Sequence, residues 1–238
     1  MRLLTGIPQI ALCVFAHPDD ADIAAGATIA RWAQAGAEVT LVIATRGEKG
    51  TTDPSVTPEE LASARAKEVE AAVSFLGVHR VLRLGIGDGE IVNDDRLRAK
   101  LVELIRTLKP QIVLTHDPAP VYFGQTYFNH RDHRELGFAV LDAVFPAAHL
   151  PHYFPEAGPP HRVEMVLMSG TADAQVGIDV TATLPLKKEA VACHASQVRG
   201  RVTEVQRSID ANARAFGKRL GVGAAEVFRE LRNEMGER

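Results

Sequence analysis

The chain has 238 residues, 46% of them hydrophobic and 24% charged, with a formal net charge of −3. That length supports one domain with a substantial core, and the charge leaves no basic footprint for nucleic acid. No apolar run reaches the roughly 20 residues of a membrane span, and Met1–Pro8 lacks the apolar core and cleavage site of a signal peptide, so a cytoplasmic protein is expected.

Taken in chain order, apolar runs alternate with helical patterns. Ile10–Phe15 reads as a strand, Ala21–Ala35 as a helix and Val39–Ala44 as a strand. Pro58–Leu76 reads as a helix with an explicit start: Thr57 caps it, Pro58 suits the first helical position and Glu60 completes a capping box. Gly77 is placed to end that helix, as Gly36 ends the one before. His79–Leu84 follows as a strand, Asp94–Leu108 as a helix, Gln111–Thr115 as a strand and Arg134–Val144 as a helix. Pro146–Pro160 holds five prolines and reads as an irregular loop. Val163–Met168 and Val176–Val180 are two further short strands; Leu186–Ala195, Val202–Phe216 and Ala224–Met235 read as helices. Strands and helices alternating at this spacing make βαβ units. The predicted fold is one α/β domain over residues 1–238. It has a doubly wound, Rossmann-like, mostly parallel sheet, helices on both faces and a helical C-terminal tail over residues 200–238. Cys13 in a strand and Cys193 in a helical segment read as packed thiols, without a disulfide framework.

The chemistry concentrates where the first long strand ends, at Ala16-His17-Pro18-Asp19-Asp20. Ligands bind at this edge of an open α/β sheet. An imidazole and two carboxylates crowded there are costly unless something pairs with them, and a metal ion takes both donor types. His116 and Asp117 close the fourth strand, and His130 and His133 stand at a helix start; in a parallel sheet these segments converge on the same edge. A catalytic zinc site keeps about three protein ligands and an open position. His17 and Asp20 offer two, and His133 or His130 the third. Asp19 would then stay off the metal and act as a general base. A lone Asp-Asp after a strand is more often a helix N-cap; the distant histidines tip the balance towards a metal. The loops Arg46–Val56 and Pro118–Phe128 flank this edge and are placed to govern substrate choice. The turn Gly85-Ile86-Gly87-Asp88-Gly89 lacks the spacing of a phosphate-binding loop.

Ala16-His17-Pro18-Asp19-Asp20, then Thr45-Arg46-Gly47-Glu48, His130-x-Asp132-His133, and a closing Lys188 with His194-Ala195-Ser196-Gln197, resembles the LmbE-like (PIG-L) family of zinc-dependent de-N-acetylases. The resemblance implies His17, Asp20 and His133 as metal ligands, Asp19 as general base, and His130 as the group that stabilises the oxyanion or protonates the amine. It implies Asp132 as a carboxylate orienting a neighbouring histidine, and Arg65 and Asp88 as contacts to the sugar. The implied cofactor is Zn2+, although Fe2+ or another divalent ion suits the same ligands. The implied reaction removes acetyl from a small-molecule N-acetyl sugar or glycoconjugate; the alternative is an amidase acting on a non-sugar or thiol-conjugate amide. Relatives often assemble, so a homo-oligomer is expected. Three positions depart from the family pattern. Ala21-Asp22 replace a Glu, Arg131 replaces a Pro, and Phe128 stands where some relatives carry a Tyr.

Overall fold

The computed structural model describes residues 1–234. In chain order it contains β1 (Arg2–Leu3), β2 (Ile10–Phe15), α1 (Asp20–Gln34), β3 (Glu38–Thr45), α2 (Pro58–Leu76), β4 (Arg80–Ile86), α3 (Asp95–Leu108) and β5 (Ile112–His116). Then come the short strands β6 (Tyr122–Phe123) and β7 (Tyr127–Phe128), followed by α4 (Arg131–Asp142), β8 (Met165–Ser169), β9 (Val176–Asp179), α5 (Leu184–Ala192), α6 (Ala195–Val198), α7 (Val202–Leu220) and β10 (Ala225–Arg232). The main sheet has eight strands in the order β1-β9-β10-β8-β5-β2-β3-β4. Only β10 runs against its neighbours, so the sheet is mostly parallel.

Alternation along β2 shows why the sheet is covered on both faces. Ala11, Cys13 and Phe15 join one buried cluster with Ala25, Ile29 and Trp32 of α1 and Val69 and Leu76 of α2. Leu12 and Val14 join the other, with Leu101 and Ile105 of α3 and Leu136 and Val140 of α4. A strand buried on both sides reads as a continuous apolar run, as Ile10–Phe15 does. The chain leaves β2 for β3 on one side and later returns as β5 on the other. That reversal of strand order is the switch point, where a crevice opens at the strand ends. The α2 capping box forms between Thr57 and Glu60, and Gly77 closes the helix in the left-handed region at φ 68°.

The clearest difference from the sequence reading lies near the end of the described chain. The residues read as a helix over Ala224–Met235 instead form strand β10 as far as Arg232, and Met235 lies outside the described residues. Helix-forming residues go into the sheet here because Glu226 is buried and engaged: it pairs with Lys187 Nζ at 2.5 Å and accepts the Thr28 N–H at 2.7 Å and the Ala27 N–H at 3.3 Å. Tertiary context outweighs propensity. Those two N–H groups are free because α1 is interrupted at Ala25 (φ −147°, ψ 15°), so the carboxylate acts as an internal cap. The C-terminal tail is thus a helix, α7, followed by a sheet strand. Pro146–Pro160 is largely irregular, with a wide helical turn at Ala143–Ala148 and a short one at Pro155–Ala157. The buried Arg106 guanidinium organises it, donating to the carbonyls of Ala147, Ala148, Leu150, Tyr153, Phe154 and Gly158. No helix among the described residues is long and apolar enough to cross a membrane.

Candidate active site

The crevice beyond β2 and β5 gathers the predicted residues. The turn after β2 bends at Pro18, so that the His17 N–H donates to Asp20 Oδ2 at 2.7 Å and the Asp20 N–H to the His17 carbonyl at 3.3 Å. α4 brings His133 in from the far side. His17 Nδ1, Asp20 Oδ2 and His133 Nε2 then form a triangle with all three sides at 3.1 Å. A tetrahedral ion with bonds of about 2.0–2.1 Å spaces its ligands by roughly 3.3–3.4 Å, so these donors fit a divalent metal.

The charge balance points the same way. The other nitrogen of His17, Nε2, lies 3.1 Å from Asp88 Oδ1 and 3.6 Å from Asp132 Oδ2. Burial works against a charged His17 ring, but the charge of Asp20 and hydrogen bonds to Asp132, Asp20 and Asp88 prevail and raise its pKa to about 12. Burial likewise favours a neutral Asp20, yet the His133 and His17 rings hold its carboxyl well below the usual range. Three carboxylates around one imidazole are more negative charge than a single proton can balance, which is the setting a divalent cation suits. Asp132 is fully buried and caps the turn carrying Asp88, accepting the Gly89 N–H at 2.7 Å and the Ile91 N–H at 3.3 Å.

Asp19 points away from this cluster. Its side chain does not cap α1; Arg65 Nη2 donates to Asp19 Oδ1 at 2.5 Å. Arg65 is only 2% exposed and spends a second nitrogen on the Gly47 carbonyl at 3.0 Å. Glycine is needed at 47 on two grounds: its φ is +64°, and an added Cβ would lie 2.4 Å from the Arg65 guanidinium and 2.8 Å from the Pro18 ring. His130 is the N-cap of α4, and its Nδ1 accepts the Asp132 N–H at 3.2 Å. That leaves Nε2 to carry the proton of the neutral ring. Burial, followed by the charges of His17 and His133, pushes the His130 pKa down and favours this neutral form. A ring nitrogen of His130 lies within 4.8 Å of donors on His17 and His133.

The profile of the PIG-L family, described as GlcNAc-PI de-N-acetylase, matches residues 12–144. A diacetylchitobiose deacetylase from Thermococcus kodakarensis is 34% identical over 223 residues, covering 92% of this chain and 81% of its own. The chain belongs to the PIG-L family. Among solved structures it is similar to N,N'-diacetylchitobiose deacetylase from Pyrococcus horikoshii, with a TM-score of 0.85 and 29% identity over 94% of this chain and 84% of that one. A probable N-acetyl-alpha-D-glucosaminyl L-malate deacetylase 2 from Bacillus anthracis is 29% identical, covering 84% of this chain and 86% of its own.

Within this PIG-L site several side chains make contacts that the sequence reading did not name. The resemblance assigns Arg65 and Asp88 to the sugar; the structure engages Arg65 with Asp19 and Asp88 with His17. Arg131, which stands where the family pattern has a Pro, donates to the Gly89 and Ile91 carbonyls and so ties down the turn that carries Asp88. The buried lysine of the closing element is Lys187, beside the Lys188 of the motif. Asp22, at the departure from the family Glu, meets His194 Nε2 at 2.7 Å with both residues buried. The sequence placed His116 on this edge without a task. Its ring stacks on His133 at 3.9 Å and 9°, and its Nε2 accepts the Ala16 N–H at 3.0 Å. Burial lowers its pKa to about 4, so it is a neutral wall behind the triangle. Its signal in the sequence was its position, the last residue of the strand across the switch point.

Proposed function

We propose that this chain is a metal-dependent hydrolase that removes the acetyl group from an N-acetylglucosamine-type sugar, releasing acetate and a free amine. One observation carries the reading: neighbouring aspartates take opposite tasks. Asp20 closes a metal-sized triangle with His17 and His133, and Asp19 turns out of it onto Arg65. The named activities of the relatives supply the substrate class.

His17, Asp20 and His133 would hold the ion, with Asp88 and Asp132 accepting the His17 Nε2–H and fixing the ring that faces it. When bound, a zinc-type ion polarises the amide carbonyl and lowers the pKa of water to about 7. Asp19, oriented by Arg65, takes the proton of the attacking water. His130, whose only ring proton is on Nε2, donates to the carbonyl oxygen as charge develops there. A carbon–oxygen bond forms, the carbon–nitrogen bond breaks, and the proton held by Asp19 passes to the departing amine. Two histidines and one carboxylate also suit Fe2+; zinc is assigned because hydrolysis needs no redox change.

The test is elemental analysis of the purified protein together with acetate release from N-acetylglucosamine and N,N'-diacetylchitobiose. One equivalent of divalent metal and chelator-sensitive acetate release are expected. A metal-loaded protein that releases acetate from neither sugar refutes the proposal.

A further inference from the structure

Strands β6 and β7 form a two-stranded ribbon that runs directly into His130 at the start of α4. Tyr122 pairs with Phe128 and Phe123 with Tyr127. The Asn129 N–H donates to the Val121 carbonyl at 2.9 Å, so the ladder continues through that pair. Opposed residues share a face, and successive pairs alternate. One face therefore carries Phe123 and Tyr127, then Val121 and Asn129. The Asn129 amide is buried and donates to the Asp117 and Pro120 carbonyls at 3.2 and 2.8 Å, which anchors this face at its base while Tyr127, at 60% exposed, stands clear of the body. The other face carries Tyr122 and Phe128 and, by the same alternation, His130.

Phe128 is 84% exposed and Tyr122 65%. The His130 ring meets His17 edge-on with centroids 4.7 Å apart. Phe128 and Tyr122 thus extend outward on the side of the ribbon that His130 occupies at the reaction centre. Same-face positions on a strand lie about 6.6–6.8 Å apart, which puts Phe128 about one sugar ring beyond His130. The ribbon from Val121 to Phe128 contains no charged residue, so it suits a neutral ligand. Pyranose rings present a face of C–H bonds that packs on aromatic side chains, and a large ring contributes wide contact area for little lost side-chain freedom.

We infer that the Tyr122–Phe128 pair is a stacking platform for a neutral sugar joined to the N-acetylglucosamine unit that is deacetylated. The inference rests on the deacetylase reading above and adds the ring next to the reacting one.

The experiment compares acetate release from N-acetylglucosamine and N,N'-diacetylchitobiose by the wild type, Phe128→Ala, Tyr122→Ala and Phe128→Trp, with size-exclusion chromatography of each. The ratio of kcat/KM for disaccharide over monosaccharide is expected to fall about tenfold in either alanine variant, through KM, and to recover in Phe128→Trp. An unchanged ratio in variants that elute as the wild type does overturns the platform. A shift of the alanine variants to a smaller species also overturns it, by making the pair a contact between copies of this chain. Saturation-transfer NMR with the same disaccharide separates the two claims. If the wild type cleaves neither sugar, the deacetylase reading falls. The platform then stands if the second ring receives saturation from the wild type and not from Phe128→Ala, and it falls if that signal is absent from the wild type.

Discussion

Replacing Asp88 separates two tasks that the same carboxylate could perform. Asp88 Oδ1 sits 3.1 Å from His17 Nε2, on the nitrogen remote from the triangle. Removing such an outer partner costs about 10–100-fold in metal affinity, or about 1.4–2.7 kcal/mol. Asp132 Oδ2 is 3.6 Å from the same nitrogen and remains as a second acceptor. The loss in Asp88→Ala should therefore fall near the lower end, about tenfold. Asp88→Asn keeps an oxygen at the position and should lose less. Competition with a coloured chelator measures the affinity, and thermal melting of the metal-free protein checks that the turn at Gly87–Gly89 still folds. Once saturated with metal, Asp88→Ala should keep a KM close to that of the wild type. A variant with unchanged metal affinity and a KM raised about tenfold would refute the reasoning and make Asp88 a sugar contact.

Other substitutions probe separate parts of the argument. Asp19→Asn should lower kcat by about 10²–10⁴-fold with metal content unchanged, because it removes the proton acceptor and leaves the triangle alone; coupled metal analysis and kinetics decide this. Arg65→Met should also lower kcat, with Arg65→Lys restoring it only in part, since one guanidinium spans both Asp19 and the Gly47 carbonyl; full activity in Arg65→Met would exclude an orienting role. Glu226→Gln leaves Lys187 buried beside a neutral amide and should destabilise the fold by about 3–5 kcal/mol, read by denaturant unfolding. Arg106→Met should expose residues 147–158 to limited proteolysis while the sheet persists, because the carbonyls of that loop lose their shared donor.

The β2–β5 half of the fold was legible because β2, β3 and β5 are buried on both faces and α2 and α3 carry side-chain caps, with Gly77 closing α2. β10 was not, since Ala, Glu, Leu and Arg favour helices and the reason for a strand lies far away, at Lys187 and the break in α1. Within the site, His17, Asp20 and His133 could be named from motif order, and the structure brings them together. The environment of Arg65 was hidden: the family resemblance named it for the sugar, and its burial against Asp19 and the Gly47 carbonyl depends on segments 46 and 18 residues away. Ribbon β6–β7 was read as plain loop because its strands are two residues long and its register depends on the side chain of Asn129.

The break in α1 has a consequence for the order of events in folding. The amides of Ala27 and Thr28 wait for a carboxylate 199 and 198 residues further along the chain. A nascent polypeptide that stops before Glu226 lacks the carboxylate that accepts these two N–H groups. Contacts of such separation form late, after the loop-closure entropy has been met. The helix that begins at the aspartates is therefore tied, midway along its length, to a strand whose pairing waits for that closure.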